Sequence, residues 1–313
     1  MPTSRRQVMQ LLRSHTRSVM AAYIADIRRK KISIKDVEEH IGSATYLSDQ
    51  LALSGGDLSA TTEAIRDALK AGGELEGKFN VNAETATQWI TDNAAALVTR
   101  INKEQMEAIQ AVIGTGRTLG ENPRTTALDI VGRIGANGKR EGGIVGLNGP
   151  QANAVSNARA NLRSGDPEQM RKYLNNERRD RRYDHIVKAA IAESKPVSKA
   201  NLQTIITRYQ ARLLKTRGDT IARTETHQAV SNGRQEQVRQ QSGNKPMIKI
   251  WMATFDSRTR HDHREMDGQR RKLDEPYRLP DGSRMMHPGD SSMGARAGEV
   301  INCRCTERYE VAA

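Results

Sequence analysis

Residues 247–269 read MIKIWMATFDSRTRHDHREMDGQ, and this stretch decides the fold class. Its first eight residues alternate and include Ile248, Ile250, Trp251 and Thr254. β-branched and aromatic residues with a period of two predict a strand at 247–254. The next residues cannot continue it, because Asp256–Gln269 holds two histidines, four carboxylates and three arginines. Asp256 or Ser257 suits a helix N-cap and Gly268 suits a stop, so a short helix is expected through Met266. The segment 276–299 reads as loop, with a turn at Pro280-Asp281-Gly282. VINCRCTERYEV, at 300–311, reads as a closing strand.

Upstream, the pattern is helical. Val8, Leu11, Leu12, Val19, Ala22, Tyr23 and Ile27 recur at threes and fours, predicting a helix over 4–31 that ends in RRKK. Further helices are expected at 34–53, 57–71 and 83–113, with Asp57 or Ser59 as a cap and Gly72-Gly73 as a stop. Residues 114–150 are rich in Gly, Asn and Pro and read as a linker or hinge with a short helix at 124–133. Pro150 suits the first turn of a helix to 163. A long charged helix is expected over 166–194, another from Ser198 to Gly218, and a third from Asp219 or Thr220 to about Gln241. The expected class is α+β, mainly α. The expected organisation is a helical region 1–113, the linker 114–150, a basic helical region 151–245 and a small α+β module 246–313.

Composition narrows the function. With 36% hydrophobic and only 4% aromatic residues, a single large core is not expected. No run of 18 apolar residues occurs, so no membrane partner is expected. MPTSRRQVMQLLRSH has no apolar stretch of a secretory leader. A Cys-x-Cys pair cannot build a disulfide framework, which suits a chain made in a reducing cytosol. Residues 151–250 carry 20 Lys/Arg against 9 Asp/Glu, and hold most of the net charge of +13. Arg171, Lys172, Arg178, Arg179, Arg181 and Arg182 are the candidates to meet DNA or an acidic partner; the alternative is a solvated basic face.

Several groups could carry chemistry. GTGRTLG, at 114–120, lacks the preceding strand and the Gly-Lys-Ser/Thr ending of a phosphate loop. His15 and His40 stand alone and read as surface residues. IARTETHQAVSNGR, at 221–234, is too polar for an ordinary core helix. It suggests a buried network in which Arg223 or Glu225 pairs with the terminal sheet, or a site using Glu225 or His227. On a short helix, His261 would face Glu265, and His263 would face Thr259 and Asp267. Cys303 and Cys305 on a strand would point the same way, together with Ile301. Two thiols plus one or two histidines would suit a structural zinc, while the plain alternative is two buried cysteines acting as small apolar residues. A structural polar cluster of Arg223, Glu225, His227, Asp256, Arg258, Arg260 and His263 closing the module is the favoured reading. The enzyme alternative is a metal-dependent hydrolase or nuclease using Asp256, Asp262 and Glu265, or a cysteine nucleophile with a histidine base and Asp256. No signature of a small-molecule substrate is present.

Four motifs in order carry a resemblance: GLNGPQANAVSNARANL (146–162), IARTETHQAVSNGR (221–234), WMATFDSRTRHDHREMDGQ (251–269), and PGD at 288–290 with INCRC at 301–305. Over about 144–313 the chain resembles the phage Mu F-like family, the head morphogenesis or minor head proteins of tailed bacteriophages. The resemblance implies a minor capsid protein of the virion, present in few copies inside the head near the portal. Its implied partners are the portal protein, other capsid proteins and DNA. Head assembly in the host cytoplasm, and DNA packaging or ejection, are the implied roles. Some relatives carry Cys-x2-Cys where this chain has Arg260 and His263, so the resemblance implies a zinc site in which only His263 can replace such a ligand beside Cys303 and Cys305, with Asp256 or His227 to complete it. The family supplies no catalytic residues to carry over, and no enzyme activity is expected. Some relatives bear a toxin domain after this module; ending directly after the last motif, this chain is expected to carry none.

Overall fold

The computed structural model describes residues 4–29, 32–135, 138–243 and 245–312. The expected mainly helical α+β class is what the chain adopts. Two compact units are formed, and neither is continuous in sequence. One takes 26–57 and 96–217, and the other takes 1–25, 58–95 and 218–313. These divisions fall elsewhere than the expected ones. The segment 114–150 lies wholly inside the first unit, and the basic region divides after Arg217.

The first unit is helical. Helix α1, Arg5–Arg29, gives it only its last residues, and Lys30 and Lys31 of the expected basic ending lie outside the described residues. Ser33 caps α2, Ile34–Glu39, and Ser43 caps α3, Ala44–Leu51. The single helix expected at 34–53 is therefore two, because Ser43 accepts from Tyr46 N and restarts the chain. After α4, Ser59–Glu74, which belongs to the other unit, comes α5, Glu84–Thr118. It runs through the expected hinge as far as Thr118, so GTGRTLG is mostly helix end. Asn122 then caps α6, Pro123–Val131, and a short hairpin pairs β1, Arg133–Ile134, with β2, Arg140–Glu141.

Asn148 and Gln151 form a reciprocal capping box on α7, Gly149–Arg163. The expected helix 166–194 is broken into α8, Pro167–Leu174, and α9, Asp184–Ala192. Asn175 ends the first, and Asp180 caps a single 3-10 turn before the second. Apolar side chains at helical spacing fill this unit's core, among them Leu97, Ile101, Ile109, Val155 and Ile205. Arg159 is buried with them, paired to Asp129 and donating to Gly142 O at 3.0 Å.

Helix α10, Lys199–Ser242, is one helix of 44 residues. Gly218, expected to stop it, does not. A lone helical glycine costs only ~1 kcal/mol against alanine, and Asp219 and Thr220 are interior residues rather than caps.

In the second unit, α4 and α10 approach closely. Gly72 and Gly73, expected to end α4, lie inside it and are buried. A Cβ on Gly72 would sit 2.5 Å from Val230 O, and one on Gly233 would collide with Leu69 O. Gly72 and Gly233 are there for backbone-to-backbone packing, and Gly73 leaves room for the Phe79 ring.

The C-terminal module completes this unit. Strand β3, Met247–Met252, is the centre of a three-stranded antiparallel sheet. It lies between β4, Arg270–Lys272, and β7, Thr306–Val311, with Ile250 opposite Arg308 and Arg270. A second hairpin joins β5, Tyr277–Arg278, to β6, Arg284–Met285. Between the strands lie two short helices, α11, His261–Glu265, and α12, Ala297–Val300. The expected helix, capped by Asp256 or Ser257, starts three or four residues late. Asp256 instead accepts from Arg258 N at 2.8 Å in a turn that precedes α11. The expected closing strand begins only at Thr306, because Val300 ends α12.

Candidate functional site

The cluster forms around a core of Trp251, Ala253, Met266, Tyr277, Leu279, Met285, Val300, Cys303 and Cys305. Helix α11 places His263 in this core with 1% of its surface exposed. The edge of its ring meets Trp251, with centroids 5.3 Å apart. Its Nδ1 lies 3.6 Å from Cys303 Sγ and 3.5 Å from Cys305 Sγ. On the other side, Nε2 is 2.9 Å from Glu299 Oε2, although the pair is not aligned as a straight hydrogen bond. His263 therefore faces neither Thr259 nor Asp267, as the sequence had suggested. Thr259 bonds Thr254 O, and Asp267 accepts from Ala253 N at 2.8 Å.

Cys303 and Cys305 do point the same way, but from extended chain ahead of β7 rather than from within a strand. Ile301 does not join them and is exposed. The two thiols are one proton-sharing pair. The hydrogen bond between them, helped by His263, lowers Cys305, while that bond and burial raise Cys303.

His227, on α10, is buried beside this group, but its nitrogens are outside the set formed by His263, Cys303 and Cys305. Its Nε2 is 2.8 Å from Cys305 O. Burial pushes its pKa down to about 4, so the ring is neutral and Nε2–H is the donor to that carbonyl. A Cβ on Gly289 would sit 2.7 Å from Nδ1, which explains a glycine there with φ of 82°.

The rest of the expected polar cluster is only partly assembled. Asp256 pairs with Arg304, whose Nη2 is 2.7 Å from Oδ1, and this holds its carboxyl well below the usual range. Arg260 Nη2 donates to Ile301 O at 2.6 Å. Arg258 is exposed and contributes its backbone N–H to Asp256. Arg223 is exposed on α10 and takes no part in the closure. Glu225 is buried and accepts from Asn93 Nδ2 at 3.1 Å. His261 faces Glu265 as expected, at 2.9 Å.

The residue that ties α10 to the sheet is Arg234. It donates to Glu76 at 2.7 Å, Thr306 Oγ1 at 2.6 Å and Glu307 O at 2.9 Å. Its place seven residues after His227, on the same helix face, was the available signal. Lys249 and Glu307 were also missed. Lys249 is fully buried under Tyr277 and donates to Met286 O at 2.5 Å. Burial lowers its pKa to about 8, and burial raises Glu307.

Among the six basic candidates for a polyanion, three are committed to carboxylates. Arg171 pairs with Glu168, Arg179 bidentately with Asp184, and Arg182 with Asp180 at 2.7 Å. Lys172 donates to Gln169 at 2.9 Å. Among the described residues, Arg178 and Arg181 have no ion pair, so they offer the freer charge. No described helix is long and apolar enough to cross a membrane.

Comparison with known proteins follows the same residues. Minor head protein GP7 of Bacillus phage SPP1 is 35% identical over 109 residues, which cover 35% of this chain and 34% of that protein. NAD(+)--arginine ADP-ribosyltransferase EFV of Enterococcus faecalis strain ATCC 700802 / V583 is 35% identical over 97 residues, covering 28% of this chain and 17% of that protein. The chain thus spans about a third or less of the length of these relatives. No solved structure matches it. The family described as phage Mu protein F like protein matches residues 197–308. That span takes in α10, Arg234, α11 and the Cys-Arg-Cys segment, while the 146–162 motif precedes it. The residues that build the His263, Cys303 and Cys305 cluster all lie within the span that matches this family.

Proposed function

We propose that this chain is a minor head protein of a tailed bacteriophage, acting in head assembly from inside the virion next to the portal. The observation that carries this is the Mu F-like match over 197–308, supported by the likeness to the SPP1 minor head protein. Its partners are then other head proteins, with the portal foremost. The role is structural. Its most reactive side chains, Cys303, Cys305 and His263, are nearly fully buried and serve the module's interior. The likeness to the ADP-ribosyltransferase covers 17% of that enzyme, and its activity is not carried over. A DNA contact rests on Arg178 and Arg181 rather than on the whole basic block, so it should be weak and salt-sensitive.

The test is a phage carrying a nonsense codon in this gene. Few copies of the chain per particle by quantitative mass spectrometry, and defective heads in the mutant, are expected. Normal heads and normal DNA content without the chain would overturn the reading. Co-expression with the portal protein tests the position, and no co-purification at low salt would remove it.

A further inference from the structure

We propose that His263 Nδ1, Cys303 Sγ and Cys305 Sγ bind one zinc ion, with Glu299 orienting the histidine through Nε2. The inference does not depend on the head-protein reading.

The three donor atoms come from segments 40 residues apart and lie within 4.8 Å of one another, all from buried residues. Their spacing matches a shared ion. Tetrahedral zinc, with Zn–S of about 2.3 Å and Zn–N of about 2.0 Å, places nitrogen and sulfur ligands ~3.5 Å apart. The observed separations are 3.5 and 3.6 Å. Hydrogen bonding alone accounts for the arrangement poorly. With Nε2 facing a carboxylate, the proton belongs on that nitrogen and Nδ1 carries a lone pair. A thiol-to-thiol hydrogen bond with one thiol then donating to Nδ1 uses a single sulfur–nitrogen approach, yet both sulfurs stand at 3.5 and 3.6 Å from Nδ1, and one cation accounts for all three donors at once.

Charge points the same way. Two thiolates and a divalent ion sum to zero, and the neutral imidazole adds nothing, so the buried set carries no net charge. Thiolate and imidazole donors select zinc over magnesium or calcium. A disulfide is no competitor, because closing a ring across Arg304 alone would be strained. His263, Cys303 and Cys305 have at most 4% of their surface exposed, so the ion would hold α11 against the Cys-Arg-Cys segment from the module's interior, with a water in its fourth position. A nearby acidic group, Asp262, Asp281 and Glu299, is half-buried; of its members only Glu299 takes part here, through His263.

The full chain, purified without chelator, should hold one zinc per chain by inductively coupled plasma mass spectrometry. Cys303→Ser, Cys305→Ser and His263→Ala should each lose it, while His261→Ala, altering an exposed neighbour, should keep it. Glu299→Ala should still bind, but yield zinc to a competing chelator at ~10–100-fold lower chelator concentration, as outer partners of ligating histidines do. Should the ligand variants fail to fold, the wild-type chain decides alone. Cobalt added to the reduced, metal-stripped protein should give a thiolate-to-metal charge-transfer band. A folded wild-type chain that holds no zinc and gives no such band overturns the proposal. So does zinc that survives loss of both cysteines.

Discussion

The two halves of α10 are one helix built on two different plans. From Asn201 to Leu214 it is amphipathic, with Ile205, Ile206, Tyr209, Leu213 and Leu214 buried while Thr204, Arg208, Ala211 and Arg212 are exposed. From Thr224 to Gln237 nearly every residue is buried, and most are polar. The first half is stabilised by removing apolar area from water, which needs only period. The second half must give each polar group a partner, because a buried unpaired group costs ~1–3 kcal/mol. It does so at particular residues, through Glu225 to Asn93, His227 Nε2 to Cys305 O, and Gln235 to Leu273 O, while Thr226 Oγ1 and His227 Nδ1 are buried without a hydrogen bond. The first plan tolerates substitution, and the second depends on specific partners.

The largest break in this contrast should come at Arg234. Arg234→Ala strands Glu76, Thr306 Oγ1 and Glu307 O together, and removing one partner of a buried ion pair costs ~3–5 kcal/mol. Arg212→Ala, on the amphipathic half, should cost under ~1 kcal/mol. Arg212 is half-exposed, and Arg182 still holds Asp180. Both tryptophans, Trp89 and Trp251, lie in the unit that contains Arg234, so tryptophan fluorescence reads that unit during denaturation, and hydrogen exchange at the buried amides around Arg212 reads the other. Equal loss of stability for the two variants, each read in its own unit, would sink the distinction.

Packing separates the halves next. Gly233→Ala drives a methyl group into Leu69 O, a backbone atom that cannot turn aside. Overpacking of this kind costs ~1–3 kcal/mol or somewhat more. A fluorescence midpoint at the wild-type value would show that α4 and α10 are less tightly packed than their glycines imply.

Legibility follows the same division. Helices with an apolar stripe, such as α1 and α7, and the strand β3 were readable because burial leaves a period in the sequence. The glycines misled at Gly72-Gly73 and Gly218, since a residue that permits a turn also permits close packing, and only the neighbour decides. At the candidate site, the pairing of His263 with Cys303 and Cys305 was legible from residue types. The facing of His263 was not, because α11 begins three or four residues later than the expected caps suggest. Arg234 and Lys249 escaped because a buried charge has no sequence period, and its partners come from distant segments.

A pH dependence tests one of those missed charges. The folded pKa of Lys249, about 8, is lower than its usual 10.5, so folding favours the neutral amine. Between about pH 8 and 10.5 the unfolded chain binds the proton and the folded one does not, so stability from this group rises with pH. Glu307 and the more distant Asp290 and Asp274 oppose the shift, and Arg239 reinforces it. Relative to Lys249→Met, the wild type should gain on the order of 2 kcal/mol across that window. Parallel stability curves for the two proteins from pH 7 to 10.5 would show that the amine stays charged inside the module.

The smallest effect should appear at Gly114, in the unit built on apolar packing, and it should have the opposite sign. Gly114 lies inside α5, and no atom comes within 4 Å of the place where an alanine methyl would sit. Ala there loses less chain entropy on folding and should stabilise the helix by ~0.5–1 kcal/mol. Hydrogen exchange along α5 should slow between about 110 and 118, while the tryptophan-detected transition stays where it was. A destabilised Gly114→Ala would mean that this glycine, like Gly72 and Gly233, is a packing residue whose neighbour the isolated chain does not contain, and a partner protein seated on that helix face would be the next thing to seek.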